Sequence, residues 1–495
     1  ALRAACVYAD HDERRAVIRR QLEQVTGEHN MSWVEDEELL DEVCWLTEWP
    51  LAVLHRFEEK YLDLPAAVLI TEMKGHQRYF ACRRADGSLS NHFVAISNMK
   101  CRDMRRVAEG YEKVLRSRFD DGRFFLQEDL KVPLAERLPQ LDGMTFQARL
   151  GSVGDKVRRI GQLAQTIAAA LGLSATEQRQ VTELAHLCKA DLTTHLVNEF
   201  PELQGELGQY YAEHEGIDPL VAGGISAHYR PRNLADDMPE NAVGAVVGLA
   251  DRVDSLVGIS AAVKIPSGSA DPFALRRACL TAAALIIHRG WDLDLKQLLR
   301  DCVQVYGELP KVEDTDALLD DLLQFCRDRI TGMLADGACP ALPGPFPVDA
   351  LRAVARSETG WYDLADFVRR VQALADVRRD DDFENAVATF KRCQNILETA
   401  DADHVDAELL QADQEQALQQ RCDEVQALVH DAVAKRDYAA ALGHLGGLRE
   451  SVDAFFDHVM VNDPDDRLRR NRQALVRRVV RLTRTLVDFD ALQHG

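Results

Sequence analysis

At 495 residues the chain is long enough for several domains with sizeable cores, and 46% hydrophobic against 6% aromatic residues favours helices over sandwiches or barrels. A formal charge of -22 excludes a protein that coats nucleic acid non-specifically, but leaves room for a specific RNA partner held by a local basic face. The 11 cysteines are scattered without a CxxC pair, which excludes a zinc ribbon and indicates reduced, mostly buried thiols. No apolar run approaches the roughly 20 residues of a membrane helix and no signal-peptide pattern is present, so a cytoplasmic protein with no membrane partner is expected.

Residues 1–150 read as an α/β region. Helices are expected over Arg14–Val25 and Glu37–Leu46, and a strand at Val68–Ile70. Tyr79–Cys82 and His92–Ser97 flank Asp86-Gly87, a good hairpin signal. Lys74, His76 and Arg78 alternate, so on a strand they would share one face. That face would contact RNA or a partner subunit; the alternative is a turn whose polar groups lock the hairpin. Residues 151–300 turn helical, with Val157, Ile160, Leu163, Ala164, Ile167 and Leu171 marking an amphipathic helix that stops near Gly172. Residues 301–385 read as polar helical linkers, with proline and glycine clustered from Gly337 to Pro347.

Residues 386–495 read as a helical terminal domain. An acidic turn leads into the apolar run Phe455, Phe456, Val459, Met460 and Val461, and an arginine-rich helix follows from Arg467. Leu475, Val479, Leu482 and Leu486 recur at helical spacing, and Arg470, Arg477, Arg481 and Arg484 lie on the opposite side. One face would dock on the protein and the other would present guanidinium groups, which suit a phosphate backbone. A solvated charged face gives the same pattern.

Val452-Asp-Ala-Phe-Phe-Asp457, followed by Asp466-Arg-Leu-Arg-Arg-Asn-Arg472, resembles the end of the β subunit of bacterial heterotetrameric (α2β2) glycyl-tRNA synthetase. Phe390-Lys-Arg-Cys-Gln-Asn-Ile-Leu397 is similar to the start of the same domain, a helical anticodon-binding domain of the arginyl-tRNA-synthetase type. Further segments resemble that family in the same order. They are Leu39-Leu-Asp-Glu-Val43, Glu48-Trp-Pro50, Met73-Lys-Gly-His-Gln-Arg-Tyr-Phe80, Glu112–Arg118 ending in Arg123-Phe-Phe125, Ala190-Asp-Leu192, Glu199–Gly205 and Ser267–Arg277. Trp49 stands where the family usually has tyrosine, and Tyr111 where asparagine is usual. The family also has an α/β stretch ahead of Ala1, so the chain reads as N-terminally shortened.

Asp155–Ile160, Lys189-Ala-Asp191 and Leu249–Asp254 resemble the HD-type metal-dependent phosphohydrolase fold. Asp191 and Asp251 would fill its aspartate roles, but the histidine of the pair is Ala190, and His186, His195 and His228 are out of register. Two carboxylates without imidazoles make a poor transition-metal site, so a degenerate HD-like helical domain without metal is expected. Gly151–Lys156 has the wrong spacing for a phosphate loop, and neither class I synthetase signature occurs.

The family resemblance therefore implies a mainly α, multidomain β subunit of glycine–tRNA ligase without catalytic residues of its own. It would bind tRNA(Gly) and its anticodon, with no DNA partner, and no cofactor in this chain. ATP and Mg2+ belong to the α subunit, which activates glycine. Candidate tRNA contacts are Lys391, Arg392, Arg470, Arg472, Arg477, Arg481 and Arg484, while Leu275-Arg-Arg277 pairs internally or touches RNA. The alternative is an HD-type nucleotide phosphohydrolase with an accessory helical domain.

Overall fold

A computed structural model describes residues 2–99, 102–263, 265, 271, 273–310, 312–379, 381–397 and 404–492. Its packing divides the chain into two compact units. The first comprises Ala1–Gln147, Gly151–Arg158 and Glu183–His228; the second comprises Ala148–Leu150, Arg159–Thr182 and Tyr229–Gly495.

The first unit contains a four-stranded antiparallel sheet in the order β1-β3-β4-β2, built from β1 (Met31–Trp33), β2 (Leu51–Arg56), β3 (Phe80–Arg84) and β4 (Leu89–Ser97). The expected Asp-Gly hairpin joins β3 to β4. Gly87 takes a positive φ of 83°, and the Asp86 carboxylate accepts from the backbone N–H and hydroxyl of Ser88. The helices His11–Gly27 and Glu37–Leu46 start where Asp10 and Asp36 cap them, each carboxylate accepting from a backbone N–H three residues on. Ile18, Leu22, Leu39, Leu40 and Val43 close over Trp33, Phe80, Cys82 and Val94 to form a core. Both departures from the family pattern are packed. Trp49 stacks on Tyr8 at 4.6 Å, and Tyr111 meets the buried His55 edge-on at 5.2 Å.

Val68–Ile70 is not a strand. It lies in the helix Ala66–Gln77, where Val68, Leu69, Glu72 and Met73 are buried. Those positions repeat with the period of a helix face, which outweighs the β-branched residues of so short a run.

Further along the unit, Asp129 ends the long helix Met104–Asp129 with its side chain fully buried. Its carboxylate accepts from the backbone N–H groups of His195 and Leu196 at 2.9 and 3.1 Å, from the Tyr211 hydroxyl at 3.0 Å, and pairs with Arg137. One side chain thus caps the helix His195–Glu199 and secures two further elements.

The second unit is built on the helix Ala242–Ala262, buried along nearly its whole length. Arg159 reaches Asp254 at 2.6 Å and covers the Tyr306 ring at 4.3 Å. A Cβ on Gly258 would stand 2.0 Å from the Tyr306 hydroxyl, so this helix tolerates only glycine there without displacing that ring. Residues 301–385 are not mere polar connectors. The helix Thr315–Asp336 buries Leu319, Leu322, Leu323, Cys326, Ile330, Met333 and Leu334, and Leu364–Val377 buries nine residues of its own. The stretch from Gly337 to Pro347 folds back, with Phe346 N–H donating to the Leu334 carbonyl and both Cys339 and Phe346 buried. Of the family-like segment 267–277, residues 267–270 and 272 lie outside the described ones. Among the described cysteines Cys6 is exposed and the rest are buried, all of them free.

Replacing Asp129 by alanine should cost about 3–5 kcal/mol, because the buried Leu196 N–H and Tyr211 hydroxyl and the half-buried His195 N–H lose their acceptor together and Arg137 loses its buried counter-charge. Asp129→Asn, which keeps a carbonyl acceptor, should cost less. Urea unfolding curves read both; an Asp129→Ala loss below about 1 kcal/mol would contradict this anchoring role.

Candidate nucleic-acid interface

The terminal domain packs the helices Asp381–Ile396, Asp413–Ala434, Tyr438–Gly446, Arg449–His458 and Asp466–Arg484. The segment expected as an acidic turn is the fourth of these helices, because Val452 and Phe455 are three apart and bury on one side. Met460, expected in the apolar run, is 62% exposed, whereas Val459 and Val461 are buried.

In the last helix Leu475, Val479, Leu482 and, just beyond its end, Leu486 are buried as the spacing requires. Asn471, Gln473, Val476, Val480 and Thr483 are buried as well, so the docked surface is wider than a simple stripe. Arg470, Arg481 and Arg484 are exposed and Arg477 is half-buried. Arg470 makes a 3.0 Å ion pair with Asp466, both side chains being exposed. Such a pair contributes little and yields readily to a phosphate.

Arg472 differs from the others. It is 8% exposed and donates to Glu415 at 2.6 Å, to Asp463 at 2.7 Å and to the Met460 carbonyl at 3.0 Å. Its donors are committed inside the domain, which removes it from the RNA-facing set. Lys391 donates through Nζ to the Leu492 carbonyl at 2.6 Å, while the exposed Arg392 lies 4.4 Å from the centre of the Phe456 ring. Lys391 therefore serves packing in this state, and Arg392 keeps its edge toward solvent.

Lys74, His76 and Arg78 do not share a strand face. Lys74 and His76 lie in the last turn of the helix Ala66–Gln77, and Arg78 terminates it at φ 58°. Lys74 pairs with Asp36 at 2.6 Å, His76 approaches Glu72 at 3.9 Å, and Arg78 pairs with Glu42 at 2.5 Å. The three splay toward different carboxylates because successive helical positions turn by about 100°.

In the region expected to be HD-like, Asp155 accepts from the Ser152 N–H and hydroxyl and from Arg158. These bonds, the Ser152 backbone first, hold its carboxyl down at about 2. It caps the helix Val153–Ala170 rather than waiting for a metal. Asp191 is fully buried. Its Oδ2 accepts from the Gly205 N–H at 2.6 Å and its Oδ1 has no partner, so burial pushes the carboxyl up to about 6. His228, also buried, accepts at Nε2 from Lys189 at 2.9 Å and donates from Nδ1 to the Ile225 carbonyl. Asp251 belongs to the other unit. Among the described residues, no group of three or more His, Cys, Asp or Glu side chains is placed to hold a metal ion.

Residues 387–494 match the DALR anticodon binding domain, so the chain is an aminoacyl-tRNA synthetase component. Residues 1–342 match the family described as glycyl-tRNA synthetase beta subunit. The glycine–tRNA ligase beta subunit of Geobacter sp. (strain M21) is 38% identical over 98% of this chain and 69% of its own length. That of Desulforapulum autotrophicum is 37% identical over 99% and 70%, and that of Anaeromyxobacter dehalogenans (strain 2CP-C) 39% over 99% and 69%. The chain belongs to the glycyl-tRNA synthetase beta-subunit family. The phosphohydrolase alternative finds no support in these matches. No helix among the described residues is long and apolar enough to cross a membrane.

Arg472→Ala should destabilise the terminal domain by about 3–5 kcal/mol, since it strands the buried Glu415 carboxylate. Arg484→Ala, at an exposed position, should stay within about 0.5 kcal/mol of the parent. Equal losses in thermal unfolding would refute the division of the arginines into buried and presented sets.

The Asp191 carboxyl also gives a pH signature. Its proton is held to about pH 6 in the folded chain, against a reference near 3.8, so folding takes up a proton between those values. Stability from this group is full below pH 4 and is lost as pH rises through 6. The difference in stability between Asp191→Asn and the parent should grow by on the order of 1–3 kcal/mol from pH 4 to 7. A difference that is flat with pH would show that the carboxyl titrates normally.

Proposed function

We propose that this chain grips tRNA(Gly) through its terminal domain, reads the anticodon there, and presents the tRNA to an α subunit. Glycine activation, with ATP and Mg2+, belongs to that α subunit, and the present chain adds no catalytic group to it. The observation that carries the proposal is the last helix, with its buried side fixed in the anticodon-binding domain and Arg470, Arg481 and Arg484 exposed on the other. A guanidinium offers two parallel donors to phosphate oxygens, and a rigid helix holds a row of them at a fixed spacing. Arg392 lies on the helix Asp381–Ile396 of the same domain and adds a further cation. Phosphate contacts position the RNA, and bases read elsewhere supply the sequence choice.

The test uses the chain together with a glycyl α subunit. Arg470→Ala with Arg484→Ala should weaken tRNA binding by about tenfold or more and flatten its salt dependence by about 0.7–0.9 per lost phosphate contact. Glycine-dependent pyrophosphate exchange should be unchanged in the double variant and absent from the isolated chain. Intact tRNA affinity in the folded double variant would make the row a solvated face, and exchange by the isolated chain would overturn the division of labour.

A further inference from the structure

Among the described residues, two sets of polar bonds tie the terminal domain to the helices before it in the second unit. The first set uses the backbone near the end of the arginine helix. The Glu358 N–H donates to the Arg484 carbonyl at 2.8 Å, the Thr359 hydroxyl to the Thr485 carbonyl at 2.6 Å, and the Asp488 N–H to the Ala353 carbonyl at 2.9 Å. By itself such an attachment fixes a point and leaves rotation about it open.

The second set stands at the turn between the helices Asp413–Ala434 and Tyr438–Gly446. Arg436 donates to both carboxylate oxygens of Asp292, each at 2.7 Å, and the Tyr438 hydroxyl donates to the buried Asp366. The acceptors are themselves held. Asp366 also accepts from Arg370 at 2.8 Å, and Arg370 donates onward to the Ser357 hydroxyl at 3.1 Å and the Gly360 carbonyl at 2.6 Å. Ser357 and Gly360 bracket Glu358 and Thr359, so one short segment braces both sets.

The backbone at Arg436 is unusual for an arginine. It takes φ 57°, the left-handed turn after a helix that ordinarily falls to glycine or asparagine. The side chain repays that strain only across the junction, at Asp292, with Asp363 and Asp366 acting on the same guanidinium. An ion pair with both partners nearly half exposed contributes little to folding stability, so its value is geometric.

Building on the tRNA-binding reading above, we propose that Arg436 and Tyr438 are positioning residues for glycylation: with Asp292 and Asp366 they lock the rotation of the anticodon-binding domain on the preceding helices. A tRNA gripped at its anticodon end is a long lever. A small rotation of the domain becomes a large displacement of the 3′ end that accepts glycine. The lock keeps that end within reach of the α subunit and adds nothing to the grip itself.

The chain is assembled with a glycyl α subunit, and steady-state glycylation of tRNA(Gly) is measured beside affinity for an anticodon stem–loop RNA. Arg436→Asp suits the left-handed turn and sets a further carboxylate against Asp292, Asp363 and Asp366. It should lower kcat by about tenfold or more, as small misplacements of reacting groups do. The KM for tRNA and the stem–loop affinity should stay within about twofold, because the RNA-facing arginines lie elsewhere in the domain. Glycine-dependent pyrophosphate exchange should be unchanged. Arg436→Lys keeps the charge without the paired donors and should fall between the parent and Arg436→Asp. If Arg436→Asp folds poorly, Arg436→Ala with Tyr438→Phe removes the same bonds without adding a charge and should lower kcat in the same way. Parental kcat in these variants would overturn the positioning role and leave tRNA binding standing. A parallel loss of stem–loop affinity would also overturn it, because the bonds would then serve the fold of the domain. Failure of the parent to bind either RNA would overturn the tRNA-binding reading and this one with it.

Discussion

The terminal domain depends on one buried guanidinium. Arg472 joins Glu415, whose other oxygen accepts the N–H groups of Gln411 and Ala412 at the start of the helix Asp413–Ala434. The same side chain holds Asp463 and the Met460 carbonyl on the segment that enters the last helix. Three chain segments meet at one fixed fork, and the rotation of the last helix is thereby set. Because each residue turns the helix by about 100°, fixing Arg472 inward places Arg470 and Arg481 outward. Identical side chains do opposite work, one building the domain and the others facing its surroundings. A hydrophobic pair could fill the same space at no loss of stability, but it would not fix the rotation through directed bonds.

Charge distribution lets an acidic chain carry such a surface. The net charge of -22 repels nucleic acid at long range, so encounter is not driven by the chain as a whole. Within the last helix, carboxylates neutralise particular arginines: Asp466 pairs with Arg469 and Arg470, and Asp423 with Arg478. Arg481 and Arg484, exposed on one side of that helix, put guanidinium groups on the surface of an otherwise acidic chain.

Much of this was legible in the residues. The hairpin followed from Asp86-Gly87, the first two long helices from their period, and the buried side of the last helix from Leu475, Val479, Leu482 and Leu486. Arg472 has the charge of an RNA contact but the helical phase of a core position. It precedes Leu475 by three positions and Val479 by seven, which puts it on the buried side, and that signal was available. The strand expected at Val68–Ile70 gives way to a helix because the flanking period outweighs two β-branched residues, and without the strand Lys74, His76 and Arg78 share no face. The role of Asp129 had no sequence signal, because it depends on segments more than sixty residues apart.

The central claim, that RNA lies on the terminal domain along the arginine helix, is tested most directly by crosslinking. A tRNA(Gly) carrying photoreactive 4-thiouridine in the anticodon loop is bound to the assembled enzyme and irradiated, and the crosslinked peptides are sequenced. Crosslinks should fall within 413–434 and 466–485. Crosslinks confined to residues 1–147, with none in the terminal domain, would contradict the account.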